Sequence, residues 1–129
     1  MADRYLLDTD IVIEYLHGTA EAVEYLEGLK GELLLSVITV AELWAGARGE
    51  EEEAALEQFF LAFSILPVDE AVAREGGLLR RQFAPSHGTG LGDALIAATS
   101  LLHGARLVSF NRKHFPMIED VEVPYLRSP

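Results

Sequence analysis

Leu33-Leu34-Leu35-Ser36-Val37-Ile38, running straight into Thr39-Val40-Ala41-Glu42, is the stretch on which the fold turns. A strand half exposed on an antiparallel sheet alternates apolar with polar residues. A continuous apolar run marks a strand buried on both faces, the situation of a parallel sheet covered by helices. Thr39 and Glu42 then have the spacing of a helix capping box, which predicts a helix to about Ala47. Strand followed at once by helix is the unit from which parallel α/β folds are built.

The same alternation extends in both directions. Arg4–Leu7 reads as a short buried strand, followed by a helix from about Asp10 to Leu16 that breaks at Gly18. Ala20–Leu29 places Ala22, Val23, Leu26 and Leu29 on one helical side. Downstream, Glu51–Phe63 reads as an amphipathic helix carrying Phe59, Phe60 and Phe63, and Ile65–Val68 as a strand. Asp69 caps a helix to about Gln82, and Phe83–Gly92, with Pro85 and three glycines, reads as a loop. Asp93–His103 is a helix ended by Gly104, Arg106–Phe110 a strand, and Val121–Val123 a last edge strand. The expected class is α/β with a mainly parallel central sheet. No repeat, linker or low-complexity segment divides the chain, so residues 1–129 are expected to form a single domain.

Bulk properties narrow the function. A chain of 129 residues, half of them hydrophobic, can bury an independent core. The absence of cysteine excludes a disulfide scaffold and a thiolate zinc site. No apolar run approaches the roughly 18 residues of a membrane span. Met1-Ala2-Asp3-Arg4 lacks a signal-peptide layout, so the expected location is cytoplasmic. A net charge of -11 argues against a nucleic-acid partner at first sight. Much of the excess, however, sits in Glu50-Glu51-Glu52-Glu53, a solvated helix start, and site carboxylates are neutralised when a cation binds. The charge points more directly to a basic partner.

Three acids occupy a particular place in this pattern. Asp8 follows the first strand, Glu42 follows the second, and Asp93 opens the helix leading into Arg106–Phe110. Right-handed crossovers start each helix at the edge where the preceding strand ended. All three acids therefore fall on the carboxyl edge, where open α/β sheets bind ligands, with Asn111 just past the last core strand. Singly, each has a plainer role: Asp8 and Asp10 as caps, Glu42 as the back-reaching member of the capping box, Asp93 as a dipole-stabilised acid, Asn111 as a turn residue. Jointly they repel one another unless a cation sits between them. Hard carboxylate oxygens favour Mg²⁺ or Mn²⁺ over zinc.

Four segments, in order and at this spacing, resemble the PIN-domain family, and most closely its VapC-type ribonuclease toxins. They are Leu6-Leu7-Asp8-Thr9-Asp10, Ser36-Val37-Ile38-Thr39-Val40-Ala41-Glu42-Leu43, Gly92-Asp93-Ala94-Leu95-Ile96-Ala97-Ala98-Thr99 and Leu107-Val108-Ser109-Phe110-Asn111-Arg112-Lys113-His114-Phe115. The resemblance implies a three-layer α/β/α fold and metal-assisted hydrolysis of RNA phosphodiester bonds. It implies Asp8, Glu42 and Asp93 as metal-site residues supported by Thr9. Family members often carry a further acid after the last core strand; here the candidate positions are Asn111 and His114, neither acidic at neutral pH. Asn111 can still offer a carbonyl oxygen to the metal. Arg80, Arg81, Arg112 and Lys113 are candidates for phosphate contacts or solvated surface charge. The resemblance further implies a homodimer and a VapB-like antitoxin whose basic arm would suit the acidic charge. Leu43-Trp44 and the Phe59-Phe60-Phe63 stripe could line such interfaces or pack in the core.

Two rivals remain at this level. Asp8-Thr9-Asp10-Ile11-Val12 also resembles the first motif of haloacid-dehalogenase-like phosphatases, with Asp8 as a phosphorylated nucleophile. Against it, Ala94–Leu102 holds no second acid, and the chain is short for that fold. The other rival is a non-catalytic PIN-like module that binds RNA or a partner, for which neutral Asn111 speaks.

Overall fold

The computed structural model describes residues 3–127. Four strands, β1 (Arg4–Leu7), β2 (Glu32–Ser36), β3 (Ser64–Leu66) and β4 (Arg106–Val108), form one sheet in the order β3-β2-β1-β4. All three pairings are parallel, with Leu6 opposite both Leu34 and Leu107. Helices α1 (Thr9–Leu16) and α2 (Ala20–Gly28) join β1 to β2, and α3 (Val37–Gly46) and α4 (Gly49–Phe60) join β2 to β3. Helices α5 (Glu70–His87) and α6 (Leu91–His103) return the chain to β4 on the far side of β1, and a short 3-10 turn spans Arg112–His114.

Successive strand residues face opposite sides of a sheet, and the apolar runs divide accordingly. Leu6, Leu34 and Leu107 pack with Val72, Leu79 and Ile96 of α5 and α6. Leu7, Leu35 and Val108 pack with Ile11, Leu26, Leu43 and Leu56 of α1 to α4. The sheet is therefore covered on both faces, which is why its strands read as unbroken apolar runs. The expected three-layer α/β/α architecture is found. Among the described residues no helix is long and apolar enough to cross a membrane.

Several expectations need correction. The capping box at Thr39–Glu42 does not form. β2 ends at Ser36, whose side chain accepts the Ile38 N–H at 3.0 Å, so α3 already starts at Val37. Val37 and Ile38 are β-branched and apolar, hence their strand-like reading. The loop expected over Phe83–Gly92 is mostly helix. α5 runs through Pro85 to His87 and stops at Gly88, whose φ of 65° lies in the left-handed region that glycine adopts without strain. Pro85 lies in the last turns, where its ring and missing N–H disturb little of the helix beyond it. The edge strand at Val121–Val123 reduces to one isolated bridge, Val108 to Glu122. α1 begins at Thr9, α4 ends at Phe60 and α6 begins at Leu91, each within three residues of expectation.

The aromatic stripe Phe59, Phe60 and Phe63 is partly buried and packs against the core. Phe59 stacks on Phe63 and Tyr15, with ring centroids 4.6 and 5.4 Å apart, and Trp44 stays half-exposed against Phe60 at 6.1 Å.

Two adjacent glycines test how tightly α5 meets α6. A Cβ built on buried Gly76 would lie 2.5 Å from Leu95 Cδ2 and 3.2 Å from Leu95 Cα, whereas one on Gly77 meets nothing within 4 Å. Gly76→Ala should destabilise by about 1–2 kcal/mol, overpacking outweighing helix propensity. Gly77→Ala should be neutral or stabilise by up to about 1 kcal/mol, since only propensity changes. Thermal denaturation of the two variants compares them directly; equal shifts would show that the helix pair has slack.

Candidate active site

The chain runs outward from β1 to β2 and β3, then crosses to β4 on the other side of β1. Such a reversal opens a crevice at the carboxyl ends of the two strands flanking it. Asp8 leaves β1 and Ser109 leaves β4 at that crevice. Asp8 is buried, 6% exposed. Its Oδ1 accepts the Thr9 N–H at 2.8 Å, capping α1, and its Oδ2 accepts the Ser109 hydroxyl at 2.7 Å. Ser109, fully buried, also accepts the Asn111 N–H at 2.9 Å. One serine thus ties Asp8 to the segment after β4 across 101 positions of sequence. Asp10 makes a parallel tie, accepting the Phe110 N–H at 3.1 Å, while its Oδ1 is buried without a hydrogen-bond partner among the described residues.

Glu42 arrives from α3. Since α3 starts at Val37, Glu42 sits well inside the helix, and its side chain is released from capping. Its Oε1 accepts the Thr9 hydroxyl at 2.6 Å, and that hydroxyl also lies 3.1 Å from the buried Thr39 hydroxyl. Thr9 therefore joins the start of α1 to α3, the helix after β2. Asp93 is the third residue of α6, and its Oδ2 lies 3.4 Å from His114 Nδ1. Neighbouring Gly92 lies close to Glu42: a Cβ there would stand in ordinary contact, 3.6 Å from Glu42 Oε2.

Electrostatics record how close the acids stand. Burial is the main reason the Asp8 carboxyl is pushed up from 3.8 to about 7, with the Asp10 and Asp93 charges adding to it and the Ser109 and Thr9 hydrogen bonds opposing it. Burial likewise raises Asp10, opposed by the Phe110 and Ile11 N–H groups and Arg127. Burial raises Asp93 too; His114 lowers it and the Glu42 charge raises it. Acids raised by burial and gathered in one crevice mark a candidate catalytic or metal site.

The residues fit a hard divalent cation in donor type: carboxylate oxygens, crowded and partly desolvated, one of them an orphan. Among the described residues no three acidic or histidine side chains converge tightly enough to form a complete protein cage. Mg²⁺ does not need one, since it is usually held by one or two carboxylates and keeps several waters.

Each residue expected at the site falls at this edge, though not in equal contact. Asp8, Thr9, Glu42 and Asp93 are linked by hydrogen bonds or by mutual charge. Asn111 is attached through its backbone N–H, and its side chain is exposed. His114, also after β4, is the residue whose side chain meets Asp93. Arg80, Arg81, Arg112 and Lys113 are all exposed; Arg112 and Lys113 share the turn that carries His114. The role of Ser109 is not legible in the sequence, because a serine at a strand end carries no signal until its partner, about a hundred residues away, is known. Beside Glu42 a groove of about 310 Å³, walled by Ile13, Leu16, Leu43 and Leu56, runs between α1, α3 and α4.

The sequence model of the PIN domain matches residues 5–120, which takes in every acid of the crevice. This chain belongs to the PIN-domain family. Among its PIN-domain relatives, Ribonuclease VapC19 of Mycobacterium tuberculosis is 42% identical over 124 residues, 93% of this chain and 98% of the relative. Ribonuclease VapC10 of the same organism is 36% identical over 123 residues, 93% and 92% of the two chains. Among solved structures, a toxin–antitoxin complex from Klebsiella pneumoniae superposes with a TM-score of 0.81 at 31% identity, covering 94% of this chain and 98% of that one. FitAcB from Neisseria gonorrhoeae gives 0.75 at 29% identity, covering 93% and 97%. Membership leaves the phosphatase reading of Asp8 without support.

Proposed function

We propose that this PIN domain, taken as residues 1–129, is a Mg²⁺-dependent endoribonuclease with Mn²⁺ as a workable substitute, and the toxin half of a VapBC-type toxin–antitoxin pair. The observation that carries the reading is buried Asp8, raised by burial and by the charges of Asp10 and Asp93, in the crevice between β1 and β4. The ribonuclease names of its relatives give the reaction class.

In this reading Asp8 and Asp93 hold the cation. Glu42, fixed by the Thr9 hydroxyl, binds it or orients the attacking water. Asn111 offers its amide oxygen at the fourth position. A bound Mg²⁺ supplies a more acidic water and positive charge for the phosphoryl oxygens. Arg112 and Lys113, exposed on the turn after β4, take the backbone phosphates at the rim, with Arg80 and Arg81 as further contacts. Positioning of the scissile phosphate by these cations also offsets the repulsion that a charge of -11 would otherwise set up.

The groove beside Glu42 suits an antitoxin arm. Its apolar walls take aliphatic side chains, and an Arg or Lys at the arm's end would reach the acids and block the site. Half-exposed Trp44, beside Phe60, is available to such a partner or to a second copy in a homodimer. The working location is the cytoplasm.

The test is to express the wild type and Asp93→Asn without any partner and to map RNA 5′ ends in the cells. Cuts at a few sites, reproduced in vitro with Mg²⁺ and lost in the variant, are expected. Undiminished cleavage by Asp93→Asn would overturn the site. RNA binding that needs no metal and yields no cleavage would favour the non-catalytic module.

A further inference from the structure

We propose that His114 is itself a metal-binding residue, so that the cation is held by an imidazole nitrogen beside the Asp93 carboxylate and the site binds Mn²⁺ better, relative to Mg²⁺, than an all-oxygen site would. The proposal rests on reading the acids as a metal centre and adds a residue and a metal preference to it.

Distance is the first reason. His114 Nδ1 and Asp93 Oδ2 are 3.4 Å apart. A charge-assisted N–H to carboxylate bond closes to about 2.7–2.9 Å, so the two groups stop short of one. Two donors on one cation, each bonded at about 2.1 Å, stand about 3.0 Å apart at an octahedral edge and about 3.4 Å at a tetrahedral one. The pair already has the separation of two ligands on one ion. Both side chains are about 30% exposed, 28% for His114 and 30% for Asp93, so a hydrated ion can reach them.

Anchoring is the second reason. The His114 N–H donates to the Asn111 carbonyl at 3.0 Å, and its own carbonyl accepts the hydroxyl of buried Thr89 at 2.9 Å. Phe115, next in the chain, is fully buried, and its N–H donates to the Arg112 carbonyl at 3.0 Å. The backbone under the imidazole is thus fixed from both sides, as a ligand-bearing segment must be. Asn111, the other residue available after β4, instead uses its N–H on Ser109 and leaves its side chain exposed.

Chemistry supplies the consequence. Imidazole suits zinc, iron and nickel, while an all-oxygen site suits Mg²⁺. A neutral nitrogen in place of a carboxylate also removes one negative charge, which costs a hard ion such as Mg²⁺ more than an ion that bonds well to nitrogen. Mn²⁺ is the useful probe, because it accepts both donor types and is paramagnetic.

The experiment loads the full chain with Mn²⁺ alone and records the electron spin-echo modulation. A coupled ¹⁴N nucleus is expected in the wild type, absent in His114→Asp and His114→Asn, and retained in His17→Gln, which alters the histidine that lines the groove with Glu42. Calorimetric titration should show the ratio of Mn²⁺ to Mg²⁺ affinity falling by about tenfold in His114→Asp. Mn²⁺ bound without nitrogen coupling, or an unchanged ratio, would reduce His114 to a charge partner of Asp93 and overturn the proposal. Absence of Mn²⁺ binding, or binding untouched by Asp93→Asn, would instead overturn the metal centre beneath it.

Discussion

Replacing Asp8 by asparagine is expected to reduce RNA cleavage by about a hundredfold or more and, at the same time, to make the metal-free protein more stable at pH 8. The two effects share one cause. Asp8 is buried, and its carboxyl is raised to about 7 by that burial and by Asp10 and Asp93, so at pH 8 the folded chain holds an ill-solvated charge. In the metal-centre reading that charge is what grips the cation. A hundredfold loss corresponds to about 2.7 kcal/mol of transition-state stabilisation, within reach of one lost charged ligand. Asparagine keeps the shape and one acceptor oxygen, so the Thr9 N–H bond survives. The Ser109 hydroxyl must turn its proton, and Asp10 Oδ2 at 3.4 Å is the acceptor to hand. Removing the uncompensated charge should stabilise by about 1–3 kcal/mol after that adjustment. Cleavage assays with Mg²⁺ and urea denaturation with chelator would measure both arms. An active variant would remove Asp8 from the centre, and a destabilised one would show that its hydrogen bonds matter more than its charge.

That trade of stability for a charged site explains which parts of the molecule could be read in the sequence. Leu33–Leu35 and Leu6–Leu7 declared a doubly covered sheet because burial on both faces leaves no polar alternation to mislead. Asp8, Glu42 and Asp93 were legible because topology alone sends the residues after parallel strands to one edge. Glu42 shows the limit of that reading. Val37 and Ile38 look like strand and Thr39 with Glu42 has capping-box spacing, yet Ser36 ends the strand and caps the helix itself. The earlier helix start matters to the site, since a Glu42 engaged in capping could not meet the Thr9 hydroxyl. Pro85 misled in the opposite direction: a helix-breaking residue proved tolerable near a helix end already closed by Gly88. The contacts of Ser109 with Asp8, Asp10 with Phe110 and Asp93 with His114 depend on the mutual placement of chain ends. No local pattern encodes those contacts.

The second large effect is on stability as a function of pH. Metal-free protein should lose stability as pH rises from about 4 to about 7, and Mg²⁺ should restore it only towards the upper end. Asp8 has an ordinary value of 3.8 and a folded value of about 7. Between those limits the folded chain keeps a proton that the unfolded chain has released. Each unit of pH across the window therefore costs the folded state about 1.4 kcal/mol per such group, and the gap for Asp8 is worth at most about 4 kcal/mol. Burial raises Asp10 and Asp93 in the same direction, so their contributions have the same sign. Above the folded value the loss is complete and the curve levels off. Mg²⁺ binds carboxylates only once they are deprotonated, so it adds little near pH 5 and, at about a hundred times its dissociation constant, about 2.7 kcal/mol near pH 8. Urea denaturation across this range, with chelator and then with Mg²⁺, gives both curves. Asp8→Asn should flatten the first and shrink the gap to the second. Stability that rose with pH in chelator would mean that the acids are compensated within the fold and have no need of a cation.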